Sequence, residues 1–193
     1  MKNLNNLSTL FFEAQQGWEA WLDEHHTNTE GIWLKMAKKE TRILSLSYAE
    51  ALEVALCYGW IDSQKASFDE QYWLQRFTPR GKRSIWSKVN CDKVTALLAE
   101  GKMQPFGIQQ VDLAKADGRW EAAYESQSKI TVPDDFQQEL DKNQKAKDFF
   151  STLSSGNRYA ILFRIQTAKK SETRIARIQK FIEMLANNQV IHP

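Results

Sequence analysis

Residues 76–90, RFTPRGKRSIWSKVN, are the most informative candidate for anion-binding chemistry in this chain. Four Arg or Lys residues flank Pro79 and Gly81, with Phe77 and Trp86 interleaved. Arginine forks beside serines and glycine amides are what a phosphate or other anion needs. Arg76, Arg80, Ser84, Trp86, Ser87 and Asn90 are therefore candidate ligand-binding residues. The plainer alternative is a solvated basic loop in which Phe77 and Trp86 are core anchors.

A second candidate is Gly59-Trp60-Ile61-Asp62-Ser63. An acid just after a helix-to-strand turn, beside Trp60, could serve as a general base or bond a ligand. Asp62 could equally cap its own turn or pair with Arg76 or Arg80. A third is the row Lys170, Arg174, Arg177 and Lys180, whose three- and four-residue spacing places these side chains near one line of a helix. That row fits a nucleic-acid face or an ordinary solvated one. His25 and His26 are adjacent and point apart on a helix, and His192 is terminal, so no metal site is expected. No GxSxG elbow with a matching histidine is evident. Cys57 and Cys91 form no CxxC, and Cys57, within an apolar helical pattern, reads as a buried thiol. No cofactor is expected.

Composition limits the partners. The chain has 193 residues, 42% hydrophobic and 26% charged, with net charge +2, an ordinary globular balance. Charge is blockwise: residues 76–93 carry six basic and one acidic, 117–141 carry two basic and seven acidic, and 158–180 carry seven basic and one acidic. The near-neutral total argues against general capture of nucleic acid. No run approaches the roughly 18 apolar residues of a membrane span. The polar start lacks a signal-peptide pattern, so a cytoplasmic location is expected.

These residues need a scaffold. Spacing predicts helices over 13–26, 48–58, 90–100, 105–115, 144–153, 155–168 and 172–186, with another starting at Pro133. Ser47-Tyr48-Ala49-Glu50 reads as a capping box, and Gly59 as the stop of the helix it opens. Apolar runs at 32–36, 60–63 and 72–77 read as strands, the last two as an antiparallel pair, and 38–46 as a polar loop. The last helix offers Ile175, Ile178, Phe181, Ile182 and Leu185 as its core stripe. The fold class is α+β: a small antiparallel sheet with helices over 1–89, then a helical half over 90–193.

The series GIWLKMAKK, SYAEALEVALCYGWIDS, RFTPRGKRSIWSKVN, VPDDF and NRYAILFRIQTAKKSETRIARIQKFIEML closely resembles the YdeI/OmpD-associated, bacteriocin-protection-like family, over nearly the whole chain. The resemblance implies a bacterial cytoplasmic protein with a helical C-terminal region, linked to envelope stress and bacteriocin protection. It carries no catalytic residue over. It marks Trp60, Asp62, Arg76, Arg80, Ser84, Trp86, Ser87 and Asn90 as a shared site.

The expected activity is non-enzymatic binding of an anionic small molecule or an acidic protein surface. The alternative is an enzyme acting on an anionic substrate, with Asp62 as acid or base. The 79–90 segment and the Asp62 turn are expected to converge on one concave surface.

Overall fold

Ser47 and Glu50 form the capping box read from the sequence. The Ser47 hydroxyl accepts from the Glu50 amide at 3.3 Å, and the Glu50 carboxylate accepts from the Ser47 amide at 2.9 Å. Those bonds hold the Glu50 carboxyl below its ordinary pKa. The computed structural model that shows this describes residues 7–193. The first six residues of the polar start lie outside the described residues.

The chain forms two compact units. The first takes residues up to Ile85 together with Asn90–Glu121. It contains β1 (Thr9–Phe11), α1 (Gln15–His25), β2 (Ile32–Ala37), α2 (Tyr48–Cys57), β3 (Trp60–Ser67) and β4 (Tyr72–Pro79). After these come α3 (Lys88–Ala99), which belongs to this unit from Asn90 onward, and α4 (Pro105–Ala116).

The sheet order is β1-β2-β4-β3. β4 pairs antiparallel with both β2 and β3, as expected. β1, not foreseen in the polar start, adds a parallel edge and makes the sheet mixed. Residues paired across strands share a face. Ile32, Leu34 and Met36 therefore share a face with Phe77, Gln75 and Trp73. On β3 the same face carries Asp62, Lys65 and Ser67.

Aromatic rings pack α1 onto this face. Trp18 is fully buried, lies 5.8 Å from Phe77 and 6.1 Å from Trp60, and donates its indole N–H to the Ala51 carbonyl. Gly59 ends α2 with φ +69°, a conformation only glycine adopts cheaply. Cys57 is buried as expected, and burial pushes its thiol pKa up to about 11. Asn90 falls inside α3 and is buried; the helix begins at Lys88, two residues before the expected start at 90.

The second unit takes Trp86–Val89 and Ala122–Pro193. Its helices are α5 (Asp134–Lys142), α6 (Gln144–Thr152), α7 (Ser155–Gln166) and α8 (Ser171–Ala186). Asn143 and Ser154 cap α6 and α7 through side-chain oxygens. Phe136, Leu140, Phe150, Ile161, Ile165, Phe181 and Leu185 form the core.

Ile175 departs from expectation: it is 56% exposed. At about 100° per residue, Ile178, Phe181 and Leu185 centre the buried arc, and Ile175 lies roughly a right angle away. Arg174 occupies the arc instead, bonding Asp135 through two nitrogens and donating to the Ile165 carbonyl. Arg177 donates to the Arg164 carbonyl. Two members of the basic row thus close the end of α7. Among the described residues, no helix is long and apolar enough to cross a membrane.

Candidate functional site

The residues chosen from sequence divide between the two units. Trp60 is fully buried and donates its indole N–H to the His26 carbonyl at 3.1 Å. Asp62 accepts from the Tyr48 hydroxyl at 2.9 Å. Arg76 pairs with Trp33 on the face of the sheet opposite to Asp62. Arg80 is only 5% exposed, and its guanidinium donates to the Ile85 carbonyl at 3.3 Å. The Ser84 hydroxyl accepts from the Gly81 amide, and the Ser84 carbonyl accepts from Arg119. These bonds fold the 80–85 loop back on itself.

Trp86 and Ser87 belong to the second unit. Trp86 is 2% exposed, Tyr124 donates its amide to the Trp86 carbonyl, and Lys88 donates its amide to the Tyr124 carbonyl. Ser87 and Tyr124 form a parallel bridge there.

The first unit carries a basic groove elsewhere, on the sheet face that α1 covers. One cavity of about 560 Å³ is lined by Lys38, Lys39, Glu40, Lys65, Ser67 and Trp73. A neighbouring cavity of about 450 Å³ shares Lys38, Lys39 and Trp73 and adds Arg42, Ser45, Ser47 and Tyr48. Trp73 is half-buried and common to both. Four cations against one carboxylate leave this lining net positive by three. Among the described residues no carboxylate forms an ion pair with Lys38, Lys39, Arg42 or Lys65.

The loop that bears three of these cations is held at both ends. Lys38 donates its amide to the Gln71 carbonyl and its ammonium to the Asp69 carbonyl, both at 2.8 Å. Thr41 closes a single 3₁₀ turn onto the Lys38 carbonyl. Buried Leu46 donates its amide to Phe12. Arg42 then adopts φ +56°. A branched or long side chain in that region costs on the order of 1–2 kcal/mol, and such outliers gather at working sites.

The floor is built by β3 and β4. Lys65 sits 4.3 Å from the centroid of the Trp73 ring, and Tyr48 lies 6.4 Å from it at 46°. Asp62 and Lys65 are three residues apart, which in a regular strand puts them on opposite faces. An irregularity between them restores both to one face, against Phe77 and Gln75. The sequence shows the tryptophan and the KKETR run but not this register, which turns the expected polar loop at 38–46 into one wall of a groove.

Fold and groove define an α+β protein with a helical second unit, whose first unit presents a cationic cleft floored by tryptophan. Residues 10–110 match the family described as a domain of unknown function (DUF8412), and the chain belongs to that family. Residues 129–188 match the family described as bacteriocin-protection, YdeI or OmpD-associated. The latter match is narrower than the whole-chain resemblance read from the sequence. The motifs GWIDS and FTPRGKRSIWSKVN lie in the stretch matched by the other family. No curated protein and no solved structure gives a match.

Proposed function

We propose that this protein binds an anionic ligand in the groove at Trp73, without covalent chemistry, and that binding serves bacteriocin protection. The observation that carries the reading is the set of four cations around one half-buried indole, none of them in an ion pair with a carboxylate among the described residues. Lys38, Lys39, Arg42 and Lys65 supply the charge; Trp73 and Tyr48 supply the walls. The family description of residues 129–188 supports the protective role. Asp62 enters from the motif residues as the carboxylate that fixes Tyr48. Trp60, Arg76, Arg80, Ser84, Trp86, Ser87 and Asn90 are assigned to the framework.

Calorimetric titration with inorganic pyrophosphate tests this. A charged hydrogen bond contributes about 1.5–3 kcal/mol, and 1.4 kcal/mol is tenfold in affinity. Lys39→Ala and Arg42→Ala should each weaken binding about tenfold with an unchanged melting temperature. Equal affinity in both variants removes the groove from the reading.

A second reading is catalysis on the bound anion with Asp62 as acid or base. The 2.9 Å bond from Tyr48, itself a wall of the groove, favours it. Conversion of a bound ligand by the protein, lost in Asp62→Asn with affinity retained, would establish it.

A further inference from the structure

Resting on the anion-binding reading, we propose that the ligand is a nucleotide, its base lying on Trp73 and its phosphates against Lys38, Lys39 and Arg42. An inorganic anion needs cations and amides only. This groove instead places a half-buried indole at the junction of its two cavities, with the phenol ring of Tyr48 beside it. The two cavities, about 560 and 450 Å³, fall within the range of small-molecule sites.

Lys65 shows what the indole face can receive. Its ammonium rests 4.3 Å from the ring centroid, although the side chain is exposed and reaches there from solvent. A face open to an ammonium is open to a flat ring, and base-on-aromatic stacking is sequence-tolerant because every base has such a face. When a base takes that place, Lys65 is free to turn to a phosphate oxygen.

Charge selects the size of the anion. The lining is net positive by three. A nucleoside diphosphate carries roughly −3 at neutral pH, since a terminal phosphate holds about −1.5 to −2. A polyanion would need cations continuing past the groove, yet Glu40 stands in the lining and the chain as a whole is only +2.

The experiment compares ADP with pyrophosphate by calorimetry on the full chain. ADP should bind at least about tenfold tighter, a 1.4 kcal/mol increment for the ring. Trp73→Ala should bring ADP down to the pyrophosphate value and leave pyrophosphate unchanged. Trp73→Phe, which keeps a ring in the fold, should retain part of the preference. Lys39→Ala should weaken both ligands together. If ADP binds no tighter than pyrophosphate, the nucleotide assignment is overturned and anion binding stands. If Trp73→Ala weakens both ligands equally, Trp73 supports the loop and carries no base. If neither ligand binds, both readings fall.

Discussion

The side-chain amide of Gln75 donates to the backbone carbonyl of Gln64 at 3.1 Å, across the irregular stretch of β3. Gln75 is 4% exposed, and the same nitrogen reaches the Arg76 carbonyl at 3.4 Å. A strand irregularity strips carbonyls of their ladder partners, and this amide replaces one of them. Lys65, whose ammonium lies over Trp73, is the next residue along the strand. Gln75→Leu keeps the volume and removes the donor. We expect a loss of about 1–3 kcal/mol in urea unfolding, together with weaker pyrophosphate binding. Wild-type stability would mean that the register holds without the bond.

Gly107 in α4 tests how closely two helices approach. A methyl group there would lie 2.1 Å from the Cys57 carbonyl oxygen, a backbone atom that cannot swing aside. Gly107→Ala should lower stability by about 1–3 kcal/mol, read as a lower denaturant midpoint with an unchanged slope. A neutral result would require α4 to shift without loss.

Arg80 separates the loop from the groove. Its burial and its bond to Ile85 predict that Arg80→Ala lowers the melting temperature, by about 1–3 kcal/mol of stability, while groove affinity stays. Normal melting with lost affinity would move the ligand to the 80–85 loop.

Asp135 and Arg174 give the second unit an acid-sensitive tie. The Arg174 guanidinium holds the Asp135 carboxyl below its ordinary 3.8. A depressed folded-state pKa adds stability above that ordinary value and loses it as pH falls through the lower one. Asp135 is 46% exposed, so the contribution is below about 1 kcal/mol. Asp135→Asn should flatten the stability–pH curve below pH 4 and change little at pH 7. An unaltered acid limb would assign the sensitivity to other carboxylates.

Local chemistry was readable where a residue acts on its own neighbours. Ser47 with Glu50, the left-handed Gly59, and the spans of α4 and α7 needed only short-range rules. Tertiary choices were hidden. β1 is only three residues long, too short to display a strand's alternation, yet it pairs parallel with β2. The basic loop at 80–85 advertised an anion site, yet Arg80 is buried and donates to the Ile85 carbonyl. Lys38, Lys39 and Arg42 stood in plain sequence, but their meeting with Lys65 and Trp73 depends on a hairpin register that spacing alone does not encode.

The chain enters the second unit for Trp86–Val89, returns to the first for Asn90–Glu121, and leaves it again at Ala122. The two family matches, 10–110 and 129–188, are each continuous and suggest a clean seam between them. No single cut respects both units. A fragment ending near residue 121 keeps Trp86 but lacks the Tyr124 strand partner that bonds it, and a fragment starting there loses its first four residues. Gene fusion at that seam would therefore carry away neither unit whole.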